Sequence, residues 1–255
     1  MTRHLPQLLT LFNVLSGCIA VVFAVLNELH LAAIFVIIGI FFDFFDGLAA
    51  RALNAQSELG IQLDSLADMI TCGLVPGIIM FQLLGMSQTG GWNINDFNPA
   101  LREGPLGWDS ILPFAGFLIT LASAYRLARF NIDEDQVTSF IGLPTPANAL
   151  LIISFPLILL YQGNDALNEL ILNPWFLLAV TLLSSFLLNA RIPLFALKFK
   201  TWSFKDNALR YTFIVVSLVF LMTMKFLAVA AIVVLYILSS LIYKPGVKVD
   251  QGTAD

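Results

Sequence analysis

"LAAIFVIIGIFFDFFDGLAAR", residues 31–51, is long enough to cross a bilayer as a helix, and it carries two aspartates in its second half. A second apolar run follows at about 59–85 and opens with Asp64 and Asp68. Ionised groups at the centre of a membrane cost about 2.5–3.5 kcal/mol each on insertion scales, less near the interface. Four carboxylates at the edge of an apolar medium therefore need a chemical reason.

The rest of the chain fixes the class. Of its 255 residues 58% are hydrophobic and only 12% charged, where soluble domains carry roughly 25% charged residues. The apolar runs are helix-length, so the chain reads as an all-α polytopic membrane protein and not a barrel. Eight spans are expected, at about 14–28, 31–51, 59–85, 110–130, 146–162, 174–190, 209–224 and 226–243. The last two come from one run, 211–243, in which Met224–Lys225 is the only polar break.

Before the first span, Leu5, Leu8, Leu9 and Phe12 recur at helical spacing and predict an interfacial helix. "LSGC" at 15–18 has the look of a lipoprotein cleavage box, but the preceding run is broken by Pro6, Gln7, Thr10 and Asn13, and the chain stays hydrophobic after Cys18. Cys18 and Cys72 both lie in apolar segments and read as buried small hydrophobes.

Charge placement tests the count of spans. With the N-terminus in the cytoplasm, eight spans put Arg3, Arg51, Arg126, Arg129, Arg191, Lys198, Lys200, Lys205, Arg210, Lys244 and Lys248 on the cytoplasmic side. Only Arg102 and Lys225 fall outside. The longest polar connection, 86–109, is then external. The basic, amphipathic stretch 191–208 lies on the cytoplasmic face among anionic lipids. The net charge of −4 identifies no partner, and no nucleic acid is expected.

Helical geometry puts Asp43, Asp46, Gly47, Ala50 and Arg51 on one face, and Gly60, Asp64 and Asp68 on one stripe of the next span. The two stripes lie at the cytoplasmic ends of consecutive antiparallel spans, so they can face each other. Four clustered carboxylates need protons or cations. Hard oxygen ligands suit Mg²⁺ or Mn²⁺, and a pair of such ions suits in-line displacement at phosphorus. Gly47 and Gly60 clear those faces for a ligand, and Arg51, one turn beyond Gly47, can grip a phosphate with both arms. The ligand so implied is a diphosphate carrying a flat or bulky group. A cation or proton pathway is the reading from another class; it would not require the Gly–Ala–Arg decoration, and its carboxylates belong nearer the midplane.

"DFFDGLAARALNAQSELGIQLDSLAD", 43–68, resembles the signature D-x-x-D-G-x-x-A-R-x8-G-x3-D-x3-D of the CDP-alcohol phosphotransferase family at every fixed position. "LPQLLTLFNVLSGC" near the start, "YRLARFN" at 125–131 and "GLPTPAN" at 142–148 are similar to stretches of its membrane-embedded phosphatidylserine synthases. The resemblance covers about residues 3–150.

It implies transfer of a phosphatidyl group from CDP-diacylglycerol to the hydroxyl of L-serine, with release of CMP. It also implies a metal site of Asp43, Asp46, Asp64 and Asp68, with Asp68 as general base, and a cytidine pocket lined by Gly47, Ala50 and Gly60. Arg51 would contact the diphosphate. Arg129, and after it Arg126, would hold the serine carboxylate. A homodimer in the cytoplasmic (inner) membrane, its site facing the cytoplasm, is the expected setting. Another acceptor, glycerol 3-phosphate or an inositol phosphate, is the alternative within the family. Residues 1–190 would form the six-span core, 209–243 two added spans, and 244–255 a polar tail. Thr10 and Asn13 fit either a nucleotide pocket or an interfacial position, and Pro144 and Pro146 fit the first turn of the fifth span.

Overall fold

The computed structural model describes residues 4–89, 111–132, 140–194 and 204–242. Most of the 86–109 connection, the middle of the 191–208 stretch and the 244–255 tail lie outside these residues. The described chain is almost wholly helical.

α1 (Leu5–Val25) and α2 (Leu29–Ala52) form the most extensive helix pair. Asn27 turns the chain between them at φ +62°, in the left-handed region that asparagine tolerates. Asn54 does the same after α2 at φ +49°, and Ser57 then caps α3 (Glu58–Asp68) by accepting from Gly60 N at 3.1 Å. These two tight features return the chain antiparallel and set the aspartate stripes side by side.

α3 runs on through a π-helical turn, Met69–Leu74, into α4 (Val75–Thr89). The Val75 N–H reaches back five residues to Ile70 O. Pro76 has no N–H for the four-residue step, and its ring crowds the preceding turn. A 3₁₀ turn, Leu112–Gly116, leads into α5 (Phe117–Ile132). β1 (Phe140–Ile141) precedes α6 (Thr145–Tyr161); α7 (Asp165–Ile171) and α8 (Pro174–Asn189) meet at 62°. β2 (Pro193–Leu194) pairs antiparallel with β1. α9 (Phe204–Thr223), interrupted at Asn207, and α10 (Leu227–Ile242) complete the described chain, and Lys225 at φ +50° makes the turn between them.

Three helices are long and apolar enough to cross a membrane by themselves: α1, α2 and the α3–α4 helix. The bent α7–α8 pair makes a fourth if it is taken as one span, and α6, α9 and α10 are shorter apolar helices. Together with α5, these segments fall at the eight expected places, and the chain turns at Met224–Lys225 as its polar break predicts. One feature departs. The expected interfacial helix and the first span are a single helix, Leu5–Val25. Pro6 sits in its first turn, where no N–H is needed, and Thr10, Asn13 and Ser16 turn inward while Leu5, Leu8, Leu11, Phe12 and Leu15 face out. The polar residues that look like a break in the sequence are the protein-facing stripe of a spanning helix.

The interior is built on close contacts between small residues, the usual device where lipid supplies no hydrophobic drive. Thr71, in the π turn, is clasped by α1 and α2: a side chain on Gly17 or Gly39 would come within 2.5 or 2.6 Å of it. Its hydroxyl donates to Asn13 Oδ1 at 2.7 Å. On the other side, Gly77 and Gly116 let α4 and the 3₁₀ turn touch backbone to backbone; a Cβ on Gly116 would lie 2.5 Å from Phe81 N. Thr120 donates to Gly73 O at 3.1 Å across the same seam. α4 and α6 carry the core, with Ile79, Met80, Leu83, Leu84, Ile152 and Ile158 fully enclosed.

Candidate active site

The last turns of α2 and the first of α3 meet as the two stripes predict. Asp43, Asp46 and Asp64 each offer a carboxylate oxygen, and these three atoms lie within 4.8 Å of one another. Asp46 is buried, and its Oδ2 accepts from the Thr10 hydroxyl at 2.5 Å. That hydroxyl also lies 3.0 Å from Pro6 O, so α1 contributes directly to the carboxylate cluster. Thr10 therefore belongs to the site. Asn13 serves one turn further on, holding Thr71.

Asp68 stands one turn beyond Asp64, outside the tight trio, and is also buried. Its Oδ2 lies 3.5 Å from the Thr145 hydroxyl of α6. The Oδ1 atoms of Asp64 and Asp68 are enclosed and have no hydrogen-bond partner among the described residues. Enclosed, unpaired carboxylate oxygens are expensive. A cation bound among them would remove that cost, so the donor set fits a hard divalent ion.

The glycines and Arg51 sit at the mouth. A Cβ on Gly47 would meet only the Arg51 guanidinium, at 3.8 Å, and one on Gly60 only the Ser57 hydroxyl, at 3.2 Å. Neither glycine is forced by a close approach of another helix among the described residues. Arg51 is exposed on the last turn of α2, and Ala50 beside it is half-buried.

α5 forms the opposite wall. Asn131 ties its end to α3, accepting from Ser65 at 3.0 Å and donating to Gln62 Oε1 at 3.3 Å. Arg126, on the same helix, lies within electrostatic range of Asp68. Of the two arginines the resemblance nominates, Arg126 is the one in electrostatic range of Asp68 among the described residues; Arg129 is half-buried one turn nearer the helix end. Tyr236, on α10, lies within electrostatic range of Arg126. Ser123 and Asn148 are fully enclosed on α5 and α6, with side chains that have no partner among the described residues. Sequence reading passed over Ser123 and Tyr236, and took Thr145 and Asn148 only as part of the family-like stretch 142–148 without giving either a role. The available signal was weak: single polar residues inside otherwise apolar helices, with no stripe to join them.

A family model for CDP-alcohol phosphatidyltransferases matches residues 3–187. A relative from Bacillus subtilis, named CDP-diacylglycerol–serine O-phosphatidyltransferase, is 33% identical over 179 residues, 67% of this chain and 88% of its own length. Relatives of the same name from Helicobacter pylori and Methanocaldococcus jannaschii are 30% identical over 230 residues and 32% over 163. The first of these alignments covers 88% of this chain and 84% of the relative, the second 64% and 65%. With a signature met at every fixed position, its aspartates gathered at one end of a helical bundle and a family match over most of the chain, this protein belongs to the CDP-alcohol phosphatidyltransferase family.

Proposed function

We propose that the protein transfers a phosphatidyl group from CDP-diacylglycerol to the hydroxyl of L-serine, giving phosphatidylserine and CMP. The observation that carries this reading is the acidic trio Asp43, Asp46 and Asp64, with Asp68 and Arg126 adjoining it. The trio, with Asp68 at its edge, would hold divalent metal, Mg²⁺ or Mn²⁺ and two ions. Bound there, the metal neutralises the diphosphate and stabilises charge on the attacking and leaving oxygens.

The chain's own residues do the rest. Gly47, Ala50 and Gly60 leave room for the cytidine, and Arg51 holds the diphosphate at the mouth of the site. Arg126, helped by Arg129, binds the serine carboxylate and brings its hydroxyl to about 3 Å from the β-phosphorus. Asp68 takes the hydroxyl proton as the new O–P bond forms. The pyrophosphate P–O bond breaks, and CMP leaves with the electron pair.

The setting follows the same reading. Eleven of thirteen basic residues lie on one side if the N-terminus is cytoplasmic, so we place the site at the cytoplasmic face of the inner membrane. There a lipid substrate keeps its tails in the bilayer while a soluble acceptor approaches from water. Residues 1–190 form the catalytic core in this scheme, 191–208 a basic surface connection, and 209–243 two added spans; homodimeric assembly rests on the family resemblance alone.

CMP release by the purified protein, with CDP-diacylglycerol and a panel of acceptors, tests the assignment. L-serine should support turnover, and glycerol 3-phosphate and inositol phosphate should not. Release with glycerol 3-phosphate but not serine would overturn the acceptor and leave the transfer chemistry standing. Absence of CMP with every acceptor would overturn both.

A further inference from the structure

We propose that Thr145 is a positioning residue that orients the Asp68 carboxylate, and that the 140–145 segment is strapped to the α8–β2 corner to deliver it. The inference rests on the reading of Asp68 as general base.

A base needs one oxygen held by the protein and the other left to the side where metal and substrate bind. Asp68 Oδ2 lies 3.5 Å from the Thr145 hydroxyl, and Oδ1 has no partner among the described residues. Both side chains are enclosed: Thr145 is 1% exposed and Asp68 9%. Hydrogen bonds of this kind are often long before substrate binds and tighten in the reacting complex. The other charged groups around Asp68 attract or repel it, with no directional bond to it among the described residues: Arg126 on α5, Asp64 on α3, and Asp43 and Asp46 on α2. Among the described residues, Thr145 is the hydrogen-bond donor to Asp68.

The backbone around Thr145 is held at every step. Pro144 precedes it at the N-cap and Pro146 comes next in the first turn, so the neighbouring φ angles are fixed by pyrrolidine rings. Thr145 is itself β-branched, which restricts χ1. Upstream, the β1–β2 pair sets Phe140 opposite Leu194 and Ile141 opposite Pro193. Gly142 N then donates to Ile192 O at 3.0 Å, and Leu143 N to Leu187 O at 2.9 Å. Gly142 sits at φ +77°, where a Cβ would lie 2.6 Å from Leu188 O. A two-residue strand pair is too small to stabilise a fold by itself. Its use here is to hold six residues in line so that one hydroxyl arrives at one carboxylate.

Steady-state kinetics on Thr145→Val and Thr145→Ser, beside Asp68→Asn, tests this. Thr145→Val keeps the shape and removes the donor. Its kcat should fall about 10–100-fold, the range for lost outer-sphere partners. KM for serine and for CDP-diacylglycerol should stay within about twofold, since neither substrate is bound by Thr145. Thr145→Ser, which restores the donor, should recover most of kcat. The proposal is overturned by wild-type kcat in Thr145→Val, by a rise in the serine KM at unchanged kcat, or by Thr145→Ser being as impaired as Thr145→Val. Should Thr145→Val not purify folded, Thr145→Ala against Thr145→Ser makes the same comparison. Asp68→Asn separates the two levels. If it turns over normally, the base assignment itself fails; if it is inactive while Thr145→Val is normal, only the positioning role fails.

Discussion

The two walls of the site are built differently. The α2–α3 wall gathers its aspartates from one continuous signature, residues 43–68, and a short turn folds them onto each other. The α5–α6 wall is assembled from single residues, Arg126 and Thr145, drawn from two separate stretches, 125–131 and 142–148. The first wall gathers negative charge, and the second brings a guanidinium and a hydroxyl toward Asp68. We read this as a division of labour: the signature wall handles metal and nucleotide, which the whole family shares, and the other wall handles the acceptor.

If the division holds, substitutions on the two walls should separate by substrate. The largest effect belongs to the carboxylates. Asp43→Asn, Asp46→Asn and Asp64→Asn should each lower turnover by about 10³-fold or more, matching the several kcal/mol a bound metal supplies. Removing metal from the unaltered protein with a chelator should do the same, and adding Mg²⁺ or Mn²⁺ back should restore activity. A variant of this trio that kept normal turnover and metal dependence would break the comparison at its stronger end.

Next comes Arg126→Lys. A two-armed contact becomes a point charge, and the serine KM should rise about 10–100-fold, in line with the 1.5–3 kcal/mol of a hydrogen bond to a charged group. Binding of CDP-diacylglycerol should be unaffected, and an equal loss for both substrates would show that the two walls are not separate. Thr10→Val removes the donor to Asp46 and should weaken apparent metal affinity about tenfold, the lower end for outer-sphere partners. Titrating Mg²⁺ against activity measures it. Arg129→Lys should be smallest, under about threefold in serine KM, since a partly exposed cation without a fixed partner contributes little. A larger effect than that of Arg126→Lys would reverse the order in which the structure ranks the two.

The contrast between the walls also explains what could be read from the sequence. The stripes on α2 and α3 follow from helical periodicity alone, and so does their opposition, because the turn at 53–57 is short. The eight apolar segments and the Lys225 turn follow from run length. α1 was harder. Thr10, Asn13 and Ser16 lower the local hydropathy, and only packing against α2 and the π turn reveals that they face protein. Thr145, Asn148 and Ser123 have no periodic partner, so nothing in one helix announces them. The β1–β2 strap is two residues a side, shorter than any alternation pattern can register, and the π turn needs the whole span in register before it can be seen.

That π turn makes chain length, at one place, part of the site. Each residue of a helix advances the chain by about 100° around the axis, and the five-residue step at Met69–Leu74 adds one residue to the turn. Above it, α4 is locked to α5 through Gly77 and Gly116; below it, α3 must show Asp64 and Asp68 to α2. Deleting a single residue between 69 and 74 would give a more regular helix, yet swing one of these halves about a quarter-turn away from its partner.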